Sequence, residues 1–346
     1  MASPEHPEGW TPNRIRPPSK KPLASICQEY QFIAETKTDT MSLTSDFFAS
    51  PLEFAKENSI CPPDDIGGYK GKQAAVLDTS GYKGIGPGTE VTSVKYSRVM
   101  RSKKIGYIEL FNDMRAVGNN EGLGVVRLKT QYSTFGEAGP VYFLPWDAGG
   151  AIVKLRIPNK GAHAPDPDIF FTAAINGCSV FVQGNPDAPT VYHAGGGTGR
   201  SDANDAARFW RQTLANHIKD SQSAQGRGKI GGEVNKTDYV KTPGTVNNQS
   251  TPRAEAYERQ LKEKLNKKKS FQVTTVFPWG CVFGVRTGVN WAFYLQENAT
   301  VKCDYVSWFK PVRTVSYARP VQLTKIFPGG TSRIASMSHL VPVKIS

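Results

Sequence analysis

A cysteine and a histidine held side by side make an acyl-transfer site, and this chain carries both in the stretch INGCSVFVQGNPDAPTVYHAGG, residues 175–196. A free thiol is mostly protonated at neutral pH. A neighbouring imidazole favours the nucleophilic thiolate and then protonates the leaving group. Between Cys178 and His193 lies the turn cluster GNPD, residues 184–187. In a hairpin centred on Asn185-Pro186, Cys178 lies seven residues before the first and His193 seven after the second. That register opposes them directly on one face, with β-carbons about 4.5–5.5 Å apart. A four-residue loop over 184–187 keeps the register, and a slip of one residue turns the side chains to opposite faces.

Thiol attack on a carbonyl creates an oxyanion that needs donors. Gly177 permits close backbone approach and unusual φ, and the backbone N–H groups of Gly177 and Cys178 are the expected donors. A backbone carbonyl, Thr172 or an asparagine is the expected orienting partner of His193. A cysteine is also among the residues most often buried as a small hydrophobe, and that reading stands beside the catalytic one. Gly280-Cys281-Val282-Phe283 echoes Gly177-Cys178-Ser179-Val180, but no histidine follows Cys281 until His339, so Cys281 reads as a core residue. Cys303 alternates with Val301 and Tyr305 and reads as face packing.

The INGC segment with a histidine fifteen residues later resembles the catalytic core of bacterial protein-glutamine deamidases of the cytotoxic necrotizing factor type. Thr172, six residues before Cys178, matches a threonine position of the related chemoreceptor deamidases. Position 176 departs from the pattern: it is Asn where Ser is usual. The resemblance covers residues 171–196. It implies a β-sandwich flanked by helices, a Cys178 nucleophile, a His193 acid/base and a steadying Thr172. It also implies hydrolysis of a glutamine carboxamide on a target protein, with no cofactor. Family members act on Rho-type GTPases, other host proteins or receptors, so a host small GTPase is the substrate candidate. The proline-rich N-terminus is similar to that of an injected effector, which implies a secreted bacterial protein acting in the host cytosol. A transglutaminase or another Cys–His acyl-transfer enzyme shares the same first step. A non-enzymatic basic protein that binds nucleic acid or a membrane is the remaining alternative.

The elements that must position these residues are mostly strands. Candidates are 90–99, 104–111, 124–133, 140–145, 151–158, 169–183 and 190–196, followed by a strand-rich stretch after residue 270. A short helix is expected from Ser45, with Asp46 and Ser50 as cap candidates. Longer helices are expected over 201–220, capped by Ser201 or Asp202, and over 251–269, capped by Thr251 with Pro252 at its first position. The expected fold is α+β: a strand-rich β-sandwich core flanked by helices. Residues 1–24 read as disordered. Residues 1–75 read as a flexible N-terminal region, and 76–346 as one catalytic domain with a flexible insertion at 221–252.

Composition limits the alternatives. The 346 residues are 38% hydrophobic, enough for a substantial core. The five cysteines form no C-x-x-C pair and the five histidines are scattered, which argues against a disulfide scaffold, a zinc ribbon or a metal centre. The net charge of +13 favours acidic partners: an acidic protein surface, an anionic membrane or nucleic acid. The basic runs 93–104 and 258–269 interleave no aromatic stacking platform, so no obligate nucleic acid is expected. No apolar run is long enough for a membrane-spanning helix, and the N-terminus has no secretory h-region.

Overall fold

The computed structural model describes residues 42–63, 75–77, 105–112, 120–123, 125–131, 134–146, 152–162, 164–195, 206–215, 230–239, 251–265, 271–307 and 310–336. The strand expected at 90–99, the segment 1–24 and most of 221–252 lie outside them.

Two short helices open the described chain: α1, Leu43–Ala49, and α2, Pro51–Glu57. The expectation of one helix from Ser45 is corrected. Ser42 caps α1, its hydroxyl accepting from Ser45 N–H at 3.2 Å. Ser50 ends that helix, because Pro51 has no N–H to donate and is tolerated only at a helix start, here the start of α2. Strand β1, Ser59–Cys61, follows at once.

The strands that carry the rest are β2, Ala75–Leu77; β3, Ile105–Asn112; β4, Asn120–Leu123; β5, Val125–Gln131; β6, Gly139–Leu144; β7, Ile152–Arg156; β8, Ile169–Thr172; β9, Ser179–Gln183; and β10, Thr190–Ala194. After β10 come helix α3 over 206–215 and strand β11, Ile230–Val234. Then follow α4, Lys236–Tyr239, and α5, Pro252–Leu265. The chain continues as β12, Phe271–Thr287; β13, Asn290–Ser307; β14, Lys310–Phe327; and β15, Ser332–Ser336. The uninterrupted strand expected over 169–183 is in fact two, β8 and β9. Residues 173–178 leave one sheet and enter the other.

These strands form two sheets. The larger runs β1-β5-β3-β6-β8-β12-β13-β14-β15, with β4 alongside β14; the smaller runs β11-β9-β10-β7-β2. Alternation along each strand sends one set of side chains inward. Val153, Leu155, Val180, Val182 and Val191 of the smaller sheet meet Tyr142, Leu144, Phe170, Val282, Trp291 and Phe293 of the larger in one buried cluster. The molecule is therefore a strand-rich α+β sandwich, as expected.

Helices cover the outer faces. On the larger sheet, Phe47, Phe54 and Ala55 of α1 and α2 join Ile108, Val126, Phe143, Phe171 and Phe283. On the smaller, Phe209, Trp210 and Leu214 of α3 join Ile152, Phe181 and Tyr192. Ala254, Tyr257 and Leu261 of α5 cover the far end of β12–β14, where Ala299, Val301, Cys303 and Tyr317 lie. Thr251 caps α5 as expected, accepting from Ala254 N–H at 3.1 Å. The boundary expected near residue 75 is corrected: Ser42–Ser346 is one compact unit. Residues 43–61 belong to its core because they bury aromatic side chains on the larger sheet.

Candidate active site

The hairpin β9–β10 exists, and its register differs from the expected one. Thr190 pairs with Gln183, Tyr192 with Phe181 and His193 with Val180. The connecting turn is centred on Pro186-Asp187, closed by Ala188 N–H to the Asn185 carbonyl at 3.3 Å. The reason is proline itself. Pro is favoured as the first central residue of a turn and disfavoured as the second, so the turn moves one residue along the chain. Each residue of β10 then meets a partner two positions later in β9. Cys178 and His193 are not directly opposite; they are diagonal neighbours, with α-carbons ~7–8 Å apart. A shift of two keeps the face, so both still point between the sheets. The Pro186 carbonyl also accepts from Trp291 N–H at 2.7 Å, which ties this turn to the start of β13.

His193 lies on β10 between Val180 of β9 and Val153 of β7. Its imidazole is completely buried, and neither Nδ1 nor Nε2 has a hydrogen-bond partner among the described residues. Burial without a counter-charge pushes its pKa down to about 3, so the ring is neutral at physiological pH. An orphaned polar ring in an apolar layer is unusual, because buried polar groups are nearly always bonded.

Cys178 is the last residue of the crossing between the sheets, 5% exposed and part of the inter-sheet cluster. Asn176 beside it is exposed and Gly177 is half-buried. Gly177 has a φ of 108°, a conformation that L side chains avoid. A methyl group there would meet Lys236 Cδ at 3.9 Å and Nζ at 4.0 Å. Earlier in the crossing, a two-way backbone bond between Ile175 and Gly280, 2.8 and 2.9 Å, clamps it to the larger sheet.

Two expected roles are corrected. The Gly177 N–H is not an open oxyanion donor: it donates to the Tyr239 hydroxyl at 2.7 Å. Thr172 does not orient His193, because its hydroxyl donates to the Ala173 carbonyl at 2.7 Å. Thr172 shares the parity of Phe170 on β8 and so faces the same inter-sheet layer, from the opposite sheet.

Sequence reading missed the residues that surround the thiol. Tyr239 donates its hydroxyl hydrogen to the Cys178 carbonyl at 2.9 Å. Ser179 bonds its hydroxyl to Asn235 Oδ1 at 3.0 Å. Asn235 in turn donates to Glu233, which forms a two-pronged pair with Arg211 of α3. The spacing Asn235-x-x-Asp238 was the available signal. It is a capping-box pattern, and the Asp238 carboxylate accepts from Asn235 N–H at 2.7 Å. Burial nonetheless raises the Asp238 pKa, outweighing the opposing bond from Asn235 N–H.

A groove of about 370 Å³ lies beside β11, lined by Arg211, Glu233, Ile326, Gly330 and Thr331 among others, and not by Cys178 or His193. The basic run 93–104 and lysines 267–269 lie outside the described residues. Lys262 is paired with Glu258 at 2.8 Å. Among the described residues no cluster of histidine, cysteine and carboxylate side chains has the makings of a metal site, and no helix is long and apolar enough to cross a membrane. Compared with known proteins, the chain matches no protein-family model and no curated sequence.

Proposed function

We propose that the chain is a protein-glutamine deamidase in which Cys178 is the nucleophile and His193 the acid/base. One observation carries the reading: a fully buried imidazole with both nitrogens unpartnered among the described residues shares the inner face of the smaller sheet with a cysteine one diagonal step away. The imidazole is neutral in its resting state, so its ring carries no proton that would block acceptance of another. With so low a pKa it does not hold a proton before the substrate arrives, so the proton leaves the thiol as the sulfur attacks.

The Cys178 sulfur bonds to the carboxamide carbon of a glutamine side chain while His193 takes the thiol proton. The Cys178 N–H meets the oxyanion. The carbon–nitrogen bond then breaks, the imidazolium protonates the departing nitrogen, and ammonia leaves a thioester behind. Water attacks the thioester as His193 accepts its proton. The carbon–sulfur bond breaks, the sulfur regains the proton, and the glutamine has become glutamate. The +13 charge suits an acidic protein substrate. The resemblance nominates a host small GTPase, reached by a secreted bacterial effector in the host cytosol.

The test is intact-protein mass spectrometry of small GTPases incubated with the wild type and with Cys178→Ser. The expected result is a gain of about one mass unit per site with the wild type only, since an amide becomes an acid through the thiol. A gain that persists with Cys178→Ser removes Cys178 from the chemistry. An unchanged substrate panel, together with a Cys178 that resists alkylation in the wild type, removes the reading itself. Amine incorporation in place of hydrolysis would make the same thioester a transamidation site.

A further inference from the structure

The two residues that flank Cys178 are held by a single short segment. Before the cysteine, the Gly177 N–H donates to the Tyr239 hydroxyl. That hydroxyl donates onward to the carbonyl of Cys178 itself. After the cysteine, the Ser179 hydroxyl meets the Asn235 side chain. Asn235 and Tyr239 are the cap and the last residue of α4, a helix too short to be stable alone. Its first turn is closed by the reciprocal bonds between Asn235 and Asp238, 2.7 and 3.0 Å.

We infer that the segment Asn235–Tyr239 is a clasp that sets the position of the Cys178 thiol, and that Tyr239 is its positioning residue. The geometry is specific. One hydroxyl bonds the amide before the cysteine and the carbonyl after it, so it fixes the backbone on both sides of the Cys178 α-carbon. That backbone determines where Sγ points and where the Cys178 N–H is aimed. Tyr239 itself is wholly buried within the inter-sheet cluster. Its hydroxyl is held protonated, because burial raises its pKa well above the ordinary phenol value. It therefore remains a donor to the Cys178 carbonyl at any physiological pH. The clasp is in turn braced through Asn235 to Glu233 and Arg211, and so to α3 on the outer face of the smaller sheet.

The role in turnover rests on the deamidase reading; the role in holding the thiol does not. The experiment separates them. Cysteine alkylation by iodoacetamide is followed residue by residue by mass spectrometry in the wild type, Tyr239→Phe and Tyr257→Phe. Tyr257 is a buried tyrosine of α5 whose hydroxyl has no partner among the described residues, so its replacement controls for loss of a buried hydroxyl. Tyr239→Phe keeps the ring and its packing. The expected result is Cys178 labelling about tenfold faster in Tyr239→Phe alone, with Cys281 and Cys303 still protected in all three proteins. On any glutamine substrate found in the deamidation screen, Tyr239→Phe lowers kcat and leaves KM unchanged. Unchanged Cys178 labelling in Tyr239→Phe overturns the clasp even if deamidation is normal. Equal exposure of Cys281 and Cys303 overturns it too, because the tyrosine then supports the fold and not the thiol. Selective labelling without deamidation by the wild type keeps the clasp and removes only the enzymatic reading.

Discussion

His193 concentrates the chemical and the energetic questions in one side chain. In the unfolded chain an imidazole takes up a proton below about pH 6.5. In the folded protein it stays neutral down to about 3. Between those values the unfolded state binds more protons, so acidification draws the equilibrium toward it, by up to about 1.4 kcal/mol per pH unit for this one group. His193→Leu fills similar space without titrating. The melting temperature of the wild type should therefore fall more steeply than that of His193→Leu between about pH 6.5 and 4.5. Parallel curves in scanning calorimetry would show that the ring is not held neutral. The residue types of the site were legible in the sequence, because a thiol and an imidazole announce their chemistry wherever they fall. Their exact partners were not. Tyr239 is remote along the chain from Gly177 and Cys178, and nothing local to either segment reveals that a hydroxyl will bridge them.

Elements were legible where local pattern decides them. Alternation marked β5, apolar stretches separated by glycine marked β3, β6 and β7 nearly to their ends, and Thr251-Pro252 marked the start of α5. Two failures have tertiary causes. The apolar run over 169–183 looks continuous because both β8 and β9 are buried on both faces, and only Asn176 and Gly177 mark the change of sheet between them. The hairpin register failed by one residue of turn placement, and Pro186 held the clue. The crossing between the sheets is the most constrained of these elements. A methyl group at Gly280 would come within 2.8 Å of Ile175 Cγ1. Gly280→Ala should cost about 1–3 kcal/mol through overpacking. Ile175→Ala in the same chain, which removes both Cγ1 and Cδ1, should make the added methyl group cost less than it does beside isoleucine. Denaturant unfolding of the single and double variants measures the coupling, and strictly additive effects would mean that the two do not meet.

For the molecule as a whole, the sandwich and its flanking helices follow from strand content and turn punctuation, whereas the place of residues 43–61 does not. That stretch has patchy apolar content and reads as an appendage. In the structure Phe47, Ala55 and Ile60 are fully buried on the larger sheet. Loss of a buried phenylalanine side chain alone costs about 3–5 kcal/mol, so a chain starting at residue 76 should lose most of its stability. Circular dichroism during thermal unfolding would register this as a broad or absent transition; a sharp transition near that of the full chain would contradict it.

The attachment of that segment also orders events during synthesis. Gln296 on β13 donates from Nε2 to the carbonyls of Ala55 and Asn58, each at 2.7 Å, and its Oε1 accepts from Ile60 N–H at 2.9 Å. One side chain thus satisfies the end of α2 and the start of β1 from more than two hundred residues away. On the ribosome, α1 and α2 emerge before β13 does, so this joint closes after them. Until residue 296 has left the exit tunnel, the carbonyls of Ala55 and Asn58 and the N–H of Ile60 must turn to water. The joint between α2 and β1 is therefore sealed late in translation, after β3, β5, β6 and β8 of the larger sheet have emerged.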